Sequence, residues 1–319
     1  MSRYIDPTTD FGFKKLFGEE TNKDLLMSFL EDVLELEKPL KNVTFLDKEQ
    51  LPPSPVERRG VYDIFCENQD GSRFIVEMQK SRITFMKDRM IYYSTFPISD
   101  QAQRGKKITI VQGGKKIKIW SYELMPVYCI AVLGFSMNID EVCIKRASLR
   151  RDDKPDEIFS DKLHYITIEL PLFNENKPEY ALDKHLNKWL YYLKELPSFE
   201  HIPALFKDDI VFKKAFKLAE LANLSPVDRR EYNRSLKKER DRCAELEAAQ
   251  QEGEEIGIKK GEEIGIKKGE EIGIKKGEKI GIKKGKIKIA KMMLKENIEI
   301  SLIAKMTGLT EKEIKELKE

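Results

Sequence analysis

Two acids and an amide, Asp63, Glu77 and Gln79, stand close together in residues 61–80, VYDIFCENQDGSRFIVEMQK. Carboxylates that each ionise near pH ~4 repel one another when placed side by side, unless a cation sits between them. An oxygen-rich site of that kind suits Mg²⁺ or Mn²⁺, which can clamp a phosphate and activate water. Such chemistry requires Asp63 and Glu77 on one surface, so the fold of the chain between them decides the matter.

Residues 61–66 and 73–79 alternate with period two and are rich in β-branched and aromatic side chains, which predicts two strands. Gln69-Asp70-Gly71 reads as a three-residue loop whose glycine takes the left-handed position of a bulged hairpin turn. Such a loop pairs Asn68 with Ser72 and, counting back, sets Asp63 opposite Glu77, with Gln79 on the same face. A two-residue turn at Asp70-Gly71 would instead oppose Asp63 to Met78 and separate the acids.

The resulting D-x13-E-x-Q pattern resembles the PD-(D/E)XK nuclease superfamily, and more narrowly its recombination-promoting nuclease and transposase group. The resemblance extends to DPTTDFGFKKLFG at residues 6–18, DRMIYYSTFPISDQAQRG at 88–105, YELMPVYCIAVLGF at 122–135 and, more weakly, HLNKWLYYLKEL at 185–196. It implies metal ligation by Asp63 and Glu77, with the Met78 carbonyl as a third donor, and places Gln79 where the superfamily usually carries Lys. A neutral amide can orient and hydrogen-bond, but it cannot supply a cation's charge. Lys80 points to the opposite face of the strand. The fold implied is α/β, a restriction-endonuclease-like core of mixed sheet flanked by helices, with a helical C-terminal region and an octad-repeat tail.

The elements that would position the site follow in order. Residues 10–36 carry apolar residues at helical spacing and predict one helix, which Thr8, Thr9 or Asp10 could cap. Asp10 is either that cap or an acid approaching the metal site. Residues 43–46 predict a strand. The loop at 52–60 delivers Arg58 and Arg59 either to a phosphate beside the site or to solvent. Residues 83–103 predict a helix with Phe85, Arg89, Tyr92, Tyr93 and Phe96 as its larger side chains, the aromatics read as core and Arg89 as functional. Lys106, Lys107, Lys115, Lys116 and Lys118 lie on a second hairpin turning at Gly113-Gly114, a nucleic-acid contact or a ribbon whose lysines prevent edge pairing. Strands are predicted at 127–135, 142–149 and 164–170, and helices from 178 to about 250.

Composition narrows the class. The 319 residues suggest about two domains, and a 40% hydrophobic share supports a core. The 58 basic and 55 acidic residues nearly cancel to +3, so any DNA surface must be local. Cys66, Cys129, Cys143 and Cys243 show no metal or disulfide spacing, and His164, His185 and His201 stand without ligand partners in sequence. With no signal peptide and no apolar run long enough to span a bilayer, a cytoplasmic protein without membrane contact is expected.

Residues 253–284 repeat GEEIGIKK three times and GEKIGIKK once, with Gly at every fourth position to Gly285. Glu-to-Lys pairs four apart favour a helix, while each Gly costs about 1 kcal/mol against Ala. A period of four drifts roughly 40° per step, so no straight seam survives. The segment reads as a semi-flexible spacer or a stalk that forms homo-oligomers. The end of the chain resembles a helix-turn-helix, yet its last helix is acidic, which favours a docking or dimerising helical hairpin. The expected division is 1–175 core, 176–250 packing helices, 251–286 repeat and 287–319 hairpin. Three readings stand: a Mg- or Mn-dependent endonuclease acting on double-stranded DNA, with recombination or mobile-element work implied by the resemblance; a ribonuclease using the same site; and a non-catalytic DNA-binding or oligomeric scaffold.

Overall fold

The computed structural model describes residues 2–47, 49–50, 60–104, 107–138 and 140–317. In chain order these form α1 (Asp10–Phe17), α2 (Lys23–Leu34), β1 (Val43–Phe45), β2 (Glu49–Gln50), β3 (Gly60–Val61), β4 (Ile64–Asn68) and β5 (Arg73–Gln79). Then come α3 (Met86–Arg104), β6 (Lys107–Gln112), β7 (Lys115–Trp120), β8 (Val127–Leu133), β9 (Ile144–Arg150), β10 (Ile158–Glu169), α4 (His185–Glu195) and α5 (Ile210–Ala219). The chain divides into two units, Met1–Cys243 and Ala244–Glu319; α6 (Pro226–Lys295) runs through both, and α7 (Ile300–Thr307) and α8 (Glu311–Glu316) end the second.

The first unit is built on a six-stranded mixed sheet in the order β1-β4-β5-β8-β10-β9. The β5/β8 and β8/β10 pairs are parallel and the others antiparallel. Parallel strands covered on both faces read as near-continuous apolar runs, as VYCIAVL of β8 does. One face packs Ile64, Cys66, Phe74, Val76, Met78, Ile130 and Val132 against Phe13, Phe17, Phe29, Trp189, Phe212 and Phe216 of the helices α1, α2, α4 and α5. The other packs Phe65, Ile75, Cys129, Ala131 and Leu133 against Met86 and Met90 of α3. The helices predicted beyond residue 178 therefore complete the core of the sheet unit.

Several expectations need correction. Residues 10–36 form two helices: α1 ends at Gly18, whose amide closes the last turn on the Lys14 carbonyl at 2.8 Å, and a Cβ there would stand 2.8 Å from that oxygen. The Asn22 amide then donates to the Lys15 carbonyl at 3.0 Å, taking up one of the carbonyls the break exposes. Of the aromatics expected in the core, Phe85, just before α3, is 69% and Tyr92 41% exposed, whereas Tyr93 packs against the core beside Met86 and Met90, and Ser94 and Gln101 are buried at helical spacing. The strand expected from 164 begins at Ile158. Apart from these corrections, α6 is one helix from Pro226 to Lys295, repeat glycines included.

The second unit is treated by itself. From Gly253 to Gly285 a Cβ on each repeat glycine would meet nothing within 4 Å, and isoleucines from Ile256 to Ile282 are exposed. Beyond the repeat, Ala290, Ile303, Leu309 and Ile314 form a small core joining the end of α6 to α7 and α8. Gly308 has φ +67°, and Thr310 with Glu313 makes a complete capping box.

Candidate active site

The hairpin register is the one a three-residue loop requires. Ile64 pairs Val76, Phe65 pairs Ile75 and Glu67 pairs Arg73, so Asn68 meets Ser72 at one end and Asp63 meets Glu77 at the other. Gly71 is left-handed, φ +82°, and the Asn68 side chain accepts from the amides of Asp70 and Ser72 at 3.0 and 2.9 Å. Regular β4 begins at Ile64. Before it the chain bends at Asp63, and Tyr62 packs beside Phe65 instead of alternating with it.

That bend lets the two acids bond across the gap. The Asp63 amide donates to Glu77 Oε1 at 3.1 Å, and the Met78 amide donates to Asp63 Oδ2 at 2.9 Å. Each remaining oxygen faces a cation: Asp63 Oδ1 lies 3.3 Å from Lys14 Nζ, and Glu77 Oε2 lies 3.3 Å from Arg89 Nη2. Arg89 also donates to Gln79 Oε1 at 3.4 Å and sits 4.9 Å over the Tyr93 ring. Gln79 donates in turn to the Ser81 carbonyl at 3.0 Å.

Burial sets the electrostatics. The Asp63 side chain is 17% and the Glu77 side chain 7% exposed, whereas Lys14 and Arg89 at the rim are about a third exposed. Burial, reinforced by the charge of Asp63, pushes the Glu77 carboxyl up to about 8, against the opposing pull of Arg89 and the Asp63 amide. Burial also raises Asp63, offset in part by the Met78 amide and Lys14. Burial works against the Lys14 charge, but the carboxylates of Asp10 and Asp63 outweigh it and hold Lys14 above the ordinary lysine range.

These residues fit a hard divalent cation. Two buried carboxylates held face to face are a charge concentration that a small dication relieves, and all their donor atoms are oxygens. The Gln79 carbonyl accepts from Gly134 on the β8 side. Since successive carbonyls of a strand point to opposite edges, the Met78 carbonyl faces the Asp63 side, where it could join the two acids. Among the described residues no three His, Cys, Asp or Glu side chains cluster as a ready ligand set.

Residues 7–249 match the family model described as PD-(D/E)XK nuclease family transposase. The chain belongs to that family. Residues 283–319 match the model described as Rpn/YhgA-like nuclease family, C-terminal HTH domain. This match agrees with the helix-turn-helix resemblance that the acidic last helix had placed second to a docking hairpin. No curated protein and no solved structure matches the chain.

Within this family frame the remaining expected residues fall as follows. Asp10 is not the cap of α1: Thr9 caps it, accepting from the Gly12 amide, and Asp10 is the first helical residue, ion-paired to Lys14. Asp10 therefore reaches the acids through Lys14. Arg89 stands in the site and Lys80 pairs with Asp6, away from it. Arg58, Arg59 and Lys106 lie outside the described residues. Lys107, Lys115 and Lys116 lie on the β6/β7 ribbon, a two-stranded sheet of its own with Gly113 and Gly114 both left-handed at its turn. Its register puts Lys107, Lys116 and Lys118 on one face, and Ile108, Ile110, Ile117, Ile119 and Lys115 on the other. Lys14 was missed by sequence reasoning. The only signals were its spacing of four from Asp10 and its place in the opening segment shared with the family.

Proposed function

We propose that this protein is a metal-dependent endonuclease that hydrolyses phosphodiester bonds in double-stranded DNA. The observation that carries the reading is the direct opposition of Asp63 and Glu77, buried and cross-bonded, in a chain of the PD-(D/E)XK family. Asp63, Glu77 and the Met78 carbonyl would hold Mg²⁺ or Mn²⁺. When bound, such an ion polarises the phosphate and lowers the pKa of water.

The chain's own residues do the rest. The Met78 and Asp63 amides lock one oxygen of each acid, so the free oxygens present a fixed geometry that costs no reorganisation during reaction. Arg89, braced by Gln79 and Tyr93, places a guanidinium at the rim where a phosphate would enter. Gln79 orients Arg89 and adds no charge of its own. The lysines of the ribbon supply backbone contacts that carry no sequence information.

The helix-turn-helix match at residues 283–319 favours DNA over RNA as substrate, and the family description supports a role in recombination or mobile-element biology. The exposed isoleucines of the repeat, with open space beside every glycine, support self-association through α6; sedimentation velocity of the full chain beside a variant lacking residues 253–284 tests it. For the catalytic reading, purified protein is incubated with duplex DNA, single-stranded DNA and RNA of one sequence under Mg²⁺ or Mn²⁺. Cleavage of duplex that is lost in Asp63→Ala supports the reading, and cleavage of RNA alone would reassign the substrate.

A further inference from the structure

The β5 strand offers no ammonium group to the site. Gln79 occupies the position two residues beyond Glu77, and both ends of its amide are engaged, by Arg89 and by the Ser81 carbonyl. Lys80 is turned away to Asp6. Arg89, the other cation at the rim, is a guanidinium that pairs with Glu77 Oε2 and Gln79 Oε1 and lies over the Tyr93 ring.

Lys14 arrives from a different element. Its Nζ lies 3.3 Å from Asp63 Oδ1, with 35% of the side chain still open to solvent, and Asp10 one turn earlier holds it from the other side. The helix that carries it has little freedom. Phe13, Leu16 and Phe17 are fully buried on its inner side, Thr9 caps it, and Gly12 lies so close to the Asp6 carbonyl that a Cβ there would stand 2.1 Å away. Rotation of about 100° per residue then fixes Lys14 just off the buried Phe13, at the lip of the site.

Resting on the nuclease reading above, we propose that Lys14 is the catalytic lysine of this site, supplied from α1 in place of the residue that β5 lacks. A divalent cation at Asp63 Oδ1 and the ammonium of Lys14 cannot both keep that oxygen as close partner, because like charges at such range repel strongly. Lys14 yields toward the solvent that its side chain already reaches, where a scissile phosphate would approach the acids. There its ammonium bonds a non-bridging phosphate oxygen as negative charge builds up. In the step itself, the oxygen of water forms a bond to phosphorus and loses a proton to solvent. The bond from phosphorus to the leaving oxygen breaks with its electron pair, and that oxygen takes up a proton from solvent. Lys14 is unchanged at the end.

The test compares full-length wild type, Lys14→Met, Lys14→Arg, Gln79→Lys, the Lys14→Met/Gln79→Lys double variant and Glu77→Ala. Lys15→Met serves as a control, since Lys15 pairs with Glu19 and Asp228. Single-turnover cleavage of duplex DNA at saturating Mg²⁺ and calorimetric Mn²⁺ affinity are both read. Loss of a preorganised charge that acts on the transition state predicts about a 10²–10³-fold slower step in Lys14→Met. Its Mn²⁺ affinity should be equal or tighter, because a competing cation has gone, and Lys14→Arg should fall between. Gln79→Lys in the Lys14→Met background should recover at least about tenfold, and Lys15→Met should stay within about twofold of wild type. Lys14→Met cleaving within about threefold of wild type, with Glu77→Ala inactive, overturns the inference and leaves the nuclease reading standing. Parallel loss of Mn²⁺ affinity and cleavage with no recovery by Gln79→Lys also overturns it, since Lys14 would then only hold Asp63 in place. Wild type inactive on every substrate removes the reading and the inference together.

Discussion

Replacing Glu77 with Gln is expected to make the metal-free protein more stable at neutral pH while removing its response to divalent metal. The carboxyl ordinarily ionises near 4.5 and here near 8, because burial and the Asp63 charge oppose ionisation. At pH 7 the folded state keeps a proton that the unfolded state has released. Roughly 2.5 pH units lie between the unfolded pKa and pH 7, at about 1.4 kcal/mol each, so the acid holds stability back by about 3 kcal/mol. The sign follows from the raised pKa: the unfolded chain binds fewer protons than the folded one between about pH 4.5 and 8, so stability falls across that window and levels off above it. Glutamine keeps an oxygen for the Asp63 amide but leaves Arg89 without its carboxylate, which returns part of the gain. A net stabilisation on the order of 1–3 kcal/mol at pH 8 remains. The assay is urea unfolding from pH 5 to 8.5, with EDTA and with Mg²⁺. Wild type should lose stability with rising pH in EDTA more steeply than Glu77→Gln, which keeps only the slope that His185 gives, and Mg²⁺ should restore stability to wild type alone. A variant less stable than wild type at pH 8, or one that keeps the wild-type pH slope, would refute the argument that the acid pair is held under repulsion.

Other perturbations test the supports of the site. Gly12→Ala should destabilise the protein by several kcal/mol, on the order of the largest single-residue effects, because its Cβ would stand 2.1 Å from the Asp6 carbonyl oxygen; Gly257→Ala, with nothing within 4 Å, should instead favour α6 by about 1 kcal/mol, both read by thermal unfolding and circular dichroism. His185 bridges Asp32 and, at 3.1 Å, Asp209; the Asp32 bond raises its pKa against burial, with Asp209 adding to the rise. The stabilisation this gives is therefore complete below the ordinary histidine pKa and lost as pH rises through the raised value, a slope that His185→Gln should remove from the denaturation profile. Replacing Lys107, Lys116 and Lys118 with Ala should lower the slope of log DNA affinity against log salt by up to about 0.9 for each phosphate that these lysines neutralise, measured by fluorescence anisotropy with Ca²⁺; an unchanged slope would assign the ribbon to solubility alone.

The opposition of the two acids was legible because it is local. The three-residue loop of Gln69, Asp70 and Gly71 sets the register, and register alone puts Asp63 across from Glu77. Arg89 could be named because the segment 88–105 resembles the family's helix beside the active strands, and a charged residue stood out among its aromatics. Lys14 could not, since its meeting with Asp63 depends on how α1 packs through Phe13 and Phe17 against Trp189 and other distant partners. The same tertiary term hid part of the core face of α3, where the flexible Met86 and Met90 fill the space beneath the helix beside Tyr93 while Tyr92 stays outside. The break at Gly18 had a signal in the sequence, the seven residues GEETNKD at 18–24 without one apolar side chain, which the apolar spacing on either side masked. In α6 the glycine penalties argued for a marginal helix, while the Glu-to-Lys pairs spaced four apart argued for the continuous one observed.

The most direct measurement of the central claim is cleavage of supercoiled plasmid by the purified full chain with Mg²⁺, beside an EDTA control and the Glu77→Ala variant shown by circular dichroism to be folded. Nicked or linear product that disappears in both controls is the predicted result. Equal product from wild type and Glu77→Ala, or intact plasmid with wild type across Mg²⁺ and Mn²⁺, would contradict the assignment of Asp63 and Glu77 as the site of DNA hydrolysis.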